Sequence, residues 1–282
     1  MIVVVAPGPL TTVQDLGRPG LAALGVPLAG AVDRAALRAA NRLVGNAPGA
    51  AGLETTLAGP TLLFESDAVV AVAGGRCDVV VGDEVLGAGC AVTVRRGRTV
   101  RLGPVTLGLR SYLAVRGGID VPPVLGSRST CTLSGLGPAP LAAGDRLPIG
   151  SAVEGAVGTA EELPEVAAEP VLRVVPGPRD DAFVEGALDT LTGSSYTVSS
   201  RSDRTGVRLE GAVLQRVSGG ELPSEGVVPG AVQVPPDGQP ILFLGNCPTT
   251  GGYPVIGVVL PADLAHAAQA RPGTRLRFRL ER

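Results

Sequence analysis

Glycine and proline interrupt this chain so often that its apolar runs stay short, and that punctuation limits what it can fold into. The 282 residues include 41 Gly and 25 Pro, yet 45% of them are hydrophobic and only 2% aromatic. A core made from such material consists of Val, Leu, Ile and Ala carried on short elements joined by turns. The pattern predicts a mainly β fold with a few helices, of the sandwich or barrel kind. Strands are expected at Ile2–Val5, Thr61–Phe64, Ala68–Val72, Cys77–Val81, Ala91–Val94, Thr99–Leu102 and Tyr112–Val115, and again at Val171–Val175, Ala231–Val234, Ile241–Leu244, Val255–Leu260 and Thr274–Leu280.

Three helices interrupt them. Asp33 is an N-cap for a helix to about Val44, with Gly45 as terminator. A second is expected from about Asp181 to Leu191, and a third from about Pro261 to Ala270, with Pro261 in the first turn and Pro272 barring continuation.

Residues 151–170 carry five Glu, no Arg and no aromatic residue, and lack sustained apolar periodicity. They are expected to link an N-terminal β-rich domain, 1–150, to a C-terminal one, 171–282. On either side the text rhymes in order: VVAPGP with VVPGP, DLGRPG with DRTGV, VPLAGAV with VPGAV. Three echoes point to two related halves.

The formal net charge of -2 excludes a sequence-wide basic field, so nucleic acid is not an expected partner. Every basic residue is Arg, which excludes a lysine Schiff base and a biotinyl-lysine on this chain. Cys77, Cys90, Cys131 and Cys247 lie far apart with no neighbouring histidine, so neither a metal site nor a disulfide framework is read, and buried thiols in a reducing cytosol are expected. The opening residues lack a signal-peptide pattern and no apolar run reaches membrane-spanning length, which predicts a cytoplasmic protein with no membrane association. The only histidine, His266, falls three residues from Asp263 and from Gln269 on the third helix, a solvated position. This argues against Ser-His-Asp or Cys-His hydrolysis.

The remaining chemical vocabulary is carboxylate, arginine, hydroxyl and backbone amide. Asp15 with Arg18, Arg116 with Asp120, and Asp203 with Arg204 each place opposite charges within a Gly-containing turn, where an ion pair would fix the loop. In the functional reading the arginines fork a carboxylate or phosphate, Arg128 foremost because Ser127 and its GSRST surroundings add hydroxyls and amides. Ser224 to Pro240 and Thr249 to Val259 combine turn residues with Ser224, Glu225, Gln233, Thr249, Thr250 and Tyr253, the build of a site on constrained loops. Glu225 is the candidate general base, and Arg128 and Asp203 complete the catalytic set. No nucleotide-binding glycine motif is present.

TTVQDLGRPG, GVPLAGAVD, AANRLVGN, LETTLAGPTLLF, SYLAVRGGIDVPPVLGSRST and TTGGYP follow one another in register along nearly the whole chain. In these blocks it resembles the KipA-like family, also called allophanate hydrolase subunit 2 or the biotin-dependent carboxyltransferase family. The resemblance implies two related cyclophilin-like β-barrel-type halves. It implies a subunit of an ATP-dependent 5-oxoprolinase that opens 5-oxoproline to glutamate with a KipI-like and a LamB/YcsF-like chain, with ATP bound at a shared or partner site. A regulatory protein antagonising a KipI-like kinase inhibitor is one alternative, and a urea carboxylase- or allophanate hydrolase-type carboxyltransferase subunit, ranked below 5-oxoprolinase, is the other. One departure stands out: Asn246, Cys247 and Pro248 replace the acidic and the basic or aromatic residue that many members carry before TTGGYP.

Overall fold

The computed structural model describes residues 1–160, 166–217 and 222–281, so part of the expected linker, 161–165, lies outside the described residues. The chain is mainly β with a few helices, as its punctuation predicts. It divides into one unit of Met1–Arg18 and Ala29–Val166 and another of Pro19–Leu28 and Ala167–Arg282.

In the first unit, six strands run in the order Arg146–Leu147, Ile2–Ala6, Thr61–Phe64, Thr99–Leu102, Val79–Val81, Glu84–Leu86. Five more form a second sheet, Leu10–Gln14, Gly52–Thr56, Leu107–Val115, Ala68–Arg76, Ala91–Val94. Ile2, Leu62, Phe64 and Val100 of the first sheet share one core with Val13, Leu53, Val72, Leu113 and Val115 of the second. Side chains alternate along a strand, so Ala71, Ala73, Tyr112 and Ala114 face the other way, onto helix Arg34–Leu43 through Leu37, Ala40 and Leu43. Burial on both faces explains why Tyr112–Val115, the end of strand Leu107–Val115, reads as an unbroken apolar run. Asp33 caps the helix as expected, accepting from the Ala36 amide at 2.9 Å. Residues 154–158 are hydrogen-bonded to Leu43 and Gly45 of this unit.

The second unit is a closed barrel in the order Val171–Pro176, Val255–Val259, Ala231–Gln233, Ile241–Phe243, Gly206–Glu210, Ser195–Val198, Arg275–Leu280. The last of these closes it by running parallel to the first, with Leu172 beside Phe278. Leu276 and Phe278 are buried while Arg275, Arg277 and Arg279 face solvent, a period-2 pattern that sets the strand's register. Inside, Tyr196 and Phe278 meet edge to face with ring centroids 5.9 Å apart.

The expected second helix is shorter and later than its pattern. Residues Asp180–Ala182 form one 3₁₀ turn, Phe183 is extended, and the α-helix begins only at Ala187, after Gly186 with φ 81°. The left-handed glycine breaks the helical path between the two apolar clusters. The third helix starts as a 3₁₀ turn at Pro261–Asp263 and continues as Leu264–Gln269. No helix is long and apolar enough to cross a membrane among the described residues.

Candidate functional sites

The two groups of residues picked out by sequence fall one in each unit. In the first, Leu10–Gln14 ends in a loop at Asp15 that meets the loop 120–130. Asp15 does not pair with Arg18. Its carboxylate accepts the amides of Gly17 at 2.8 Å and Arg128 at 2.6 Å, the Ser127 hydroxyl at 2.6 Å and the Ser129 hydroxyl at a shorter distance. Arg18, 2% exposed, donates to the carbonyls of Val124 at 2.9 Å, Ser127 at 3.4 Å and Ser129 at 2.7 Å. The expected ion pair is replaced by two separate clamps on one loop, because main-chain donors reach Asp15 and main-chain acceptors reach Arg18 first.

The Arg116–Asp120 pairing is likewise corrected. Arg116 donates to the carbonyls of Val44 at 2.7 Å and Gly155 at 3.0 Å, and lines an open cleft of about 460 Å³ with Asp67, Val69, Thr93 and Arg95. Asp120 instead binds Arg128 at 2.7 Å, while Arg128 Nε donates to the Val121 carbonyl at 2.7 Å. The fork that the sequence offered to a ligand anion thus holds the chain's own carboxylate, on a side chain 36% exposed.

Sequence reading missed a neighbouring network. Strand Gly52–Thr56 buries Glu54, whose Oε2 accepts from the Val32 amide at 2.9 Å and the Tyr112 hydroxyl at 2.8 Å. Oε1 lies 3.8 Å from Arg110 Nε. Tyr112 also accepts from the Asp33 amide at 2.8 Å, fastening the start of the helix. Burial, reinforced by the nearby Asp33 charge, raises the Tyr112 pKa far above its ordinary value, so the phenol stays protonated. Gln14 and Thr12 extend the strip, with Gln14 donating to Thr12 Oγ1 at 2.9 Å and the Thr130 carbonyl at 3.0 Å. The cross-strand register Thr12, Glu54, Tyr112 sets these polar groups in one row beneath the helix. The signal was Glu within LETT and Arg110 two residues before Tyr112, visible only once the strands pair.

In the second unit, Glu225–Gly226 and Thr250–Gly251 pair as a short ribbon that joins the two stretches singled out by sequence. Val227 packs on an apolar patch of Ala231, Phe243, Cys247 and Val255. Gln233 is buried and donates to the Tyr253 carbonyl at 2.8 Å. A Cβ at Gly251 would lie 2.6 Å from Gln233 Nε2, so a larger residue there would have to push the Gln233 amide aside. Ser224, Thr250 and Tyr253 are exposed and Thr249 half-buried, so the ribbon displays hydroxyls outward.

Glu225 meets a partner absent from the sequence reading. Arg179 donates Nε at 2.8 Å, and Nη2 more closely, to Glu225 Oε1. This hydrogen-bonded cation holds the Glu225 carboxyl below its usual range, and a carboxylate held low is a weaker proton acceptor than a general base should be. Asp203 closes its own turn on the amides of Thr205 at 2.7 Å and Gly206 at 3.1 Å. Arg204 is buried, and desolvation pulls its pKa down to about 9. Asn246 is fully buried, its amide bound to the Arg204 carbonyl at 3.1 Å. Elsewhere in this unit Arg173 forks Asp263, Nε to Oδ2 at 2.9 Å and Nη2 to Oδ1 at 2.7 Å, tying the third helix to the barrel and lowering the Asp263 pKa.

Comparison with known proteins agrees with this fold. The carboxyltransferase domain, subdomain A and B, matches residues 24–280. The chain is 41% identical over 281 residues to a 5-oxoprolinase subunit of Escherichia coli strain K12, covering 99% of this chain and 90% of that protein. The crystal structure of TTHA0988 superposes with a TM-score of 0.91 at 38% identity, covering 99% of this chain but 55% of that one. The Kluyveromyces lactis urea carboxylase structure does so with 0.93 at 32% identity, over 98% of this chain and 27% of that one. Over residues 24–280, the Thr250 ribbon included, the chain belongs to the family of the carboxyltransferase domain, subdomain A and B.

Proposed function

We propose that this chain is a subunit of an ATP-dependent 5-oxoprolinase, acting with a KipI-like and a LamB/YcsF-like chain to open 5-oxoproline to glutamate. The observation that carries the reading is likeness: the chain is 41% identical to the Escherichia coli 5-oxoprolinase subunit over 90% of that protein, against 32% identity to the urea carboxylase over 27% of that chain.

The ribbon is where substrate binds in this reading. Ser224, Thr250 and Tyr253 present hydroxyls to the lactam, and Arg179, fixed through Nε and Nη2 by Glu225, turns its remaining nitrogen to the substrate carboxylate. Glu225 is then a positioning residue for Arg179. Lactam opening needs donors for the oxyanion that forms when water attacks the activated carbonyl, and exposed hydroxyls on a rigid ribbon supply them.

Three of the arginines that the sequence offers to an anion are already engaged. Arg18 and Arg116 are held by carbonyls and Arg128 by Asp120, and none projects into a glycine-rich phosphate loop. This supports a reading in which ATP binds at a site shared with or held by a companion chain.

The test is release of ADP and glutamate from 5-oxoproline by the three co-expressed chains. Turnover that requires both 5-oxoproline and this chain, and that falls at least tenfold in Arg179→Ala, is expected. A stable complex without 5-oxoproline-dependent turnover overturns the reading. The likeness to urea carboxylase supports a second one, carboxyl transfer, in which biotin must arrive on another protein because this chain has no lysine. Bicarbonate- and biotin-carrier-dependent turnover would select it.

A further inference from the structure

Arg116 follows strand Leu107–Val115 where the second sheet of the first unit runs past the end of helix Arg34–Leu43. Val115 pairs with Val70, the Arg116 amide donates to the Val69 carbonyl at 2.8 Å, and Val69 pairs on its other side with Thr93. Residues opposite one another across a sheet share a face, so Thr93, Val69 and Arg116 stand in one row, on the face that Ala71 and Ala114 turn to the helix. Beyond the helix end this row lines the open cleft of about 460 Å³, together with Ile149. Arg116 is half-buried, and its guanidinium is committed on one side only. Nη1 donates to the carbonyls of Val44, the C-cap of the helix, and of Gly155, and neither residue lines the cleft. Capping the helix accounts for Nη1. It leaves the edge formed by Nε and Nη2, whose two parallel N–H groups match a carboxylate. In Arg173 the same edge forks Asp263. Among the described residues no carboxylate does this for Arg116. Asp67, the acid that lines the cleft, is spent on Arg95 Nη1 and the Arg96 amide, each at 2.8 Å.

We propose that this cleft is a binding site for a small monocarboxylate, which lays its carboxylate on the Nε–Nη2 edge of Arg116 and its apolar body over Val69 and Ile149. The volume falls within the roughly 300–1,000 Å³ of small-molecule sites. With Arg95 neutralised by Asp67, one uncompensated cation remains, which balances a single negative charge and selects a carboxylate over a phosphate dianion. Because Nη1 is already anchored, the fork is held in place before the ligand arrives, and little side-chain freedom is lost on binding. The site belongs to the first unit and stands whether or not the ribbon of the second unit takes 5-oxoproline.

The probe is cyclopentanecarboxylate, titrated into the full chain while the arginine Nε–H resonances are followed by NMR. The Arg116 signal, assigned by its absence from Arg116→Lys, is expected to shift saturably. Lysine keeps the charge but has no planar fork, so calorimetric affinity in Arg116→Lys should fall at least tenfold. Cyclopentanecarboxamide, the same shape without the charge, should bind wild type at least tenfold more weakly than the acid. Thr93 is exposed, so Thr93→Glu should fold as wild type, and its carboxylate, placed in the same row, should weaken the probe at least threefold. That variant decides the matter if Arg116→Lys folds poorly. Arg179→Ala, on the ribbon side of the molecule, should leave the Arg116 shift unchanged. An Arg116 signal that the probe does not move, affinity within twofold of wild type in folded Arg116→Lys, or tighter binding of inorganic phosphate overturns the proposal. Binding lost in Arg179→Ala and kept in Arg116→Lys also overturns it, since the probe would then sit on the ribbon.

Discussion

Asp15 and Glu225 are both carboxylates that the sequence singles out among turn residues, and they are held in opposite ways. Asp15 is saturated by two amides and two hydroxyls from both sides of a loop crossing. Glu225 meets a single arginine on a ribbon two residues long, and a third of each side chain is open to solvent. The first arrangement fixes shape. The second leaves Arg179 and several hydroxyls partly open to solvent, so in this chain apparent chemical equivalence in sequence separates into scaffold and candidate site according to how many donors surround each carboxylate.

The sharpest way to break that contrast is to remove the most deeply buried scaffold carboxylate. Glu54→Ala leaves Arg110 and Tyr112 without it inside the first unit and is expected to destabilise by about 3–5 kcal/mol, read as a loss of denaturant midpoint. Asp15→Ala should follow, at about 2–3 kcal/mol, since several donors lose a charged acceptor together. If Asp15→Ala proved neutral, the loop would be held by Arg18 alone and the contrast would fail.

Asp263 lies between the extremes, and its effect depends on pH. Its folded pKa is depressed by Arg173, so its contribution is present above the ordinary carboxylate pKa near 4 and is lost as pH falls through the lower folded value. Asp263→Asn should lower the melting temperature by a few degrees at pH 7 and flatten its decline between about pH 5 and 3. The smallest stability effect belongs to Glu225→Gln, whose exposed pair is screened by water. Its melting temperature should match wild type while turnover of the assembled enzyme falls. A large loss of stability would move Glu225 into the scaffold class.

Strands Thr61–Phe64, Ala91–Val94 and Thr99–Leu102 are legible to the residue because β-branched runs end at turn residues. Leu10–Gln14 and Gly52–Thr56 are not, because Thr12, Gln14, Glu54 and Thr55 read as loop although all are buried. Their polarity is tolerated only through partners such as Val32 and Tyr112, 22 and 58 positions from Glu54. The same distance effect defeated two of the local ion pairs: Asp120, for one, sits four residues from Arg116 but binds Arg128. The ribbon stretches could be selected by composition, yet their pairing, and Arg179 46 positions before Glu225, belong to tertiary structure.

The barrel closes when Arg275–Leu280 runs alongside Val171–Pro176. During synthesis, the earlier strand must therefore wait for roughly a hundred further residues, about 5–20 s at ordinary translation rates. Throughout that interval VLRVVP keeps an open backbone edge, ready to pair with a neighbouring nascent chain. Ribosomes crowded on one message would bring such edges together, so slower initiation, which spaces the ribosomes, should raise the yield of correctly closed protein more than slower elongation would.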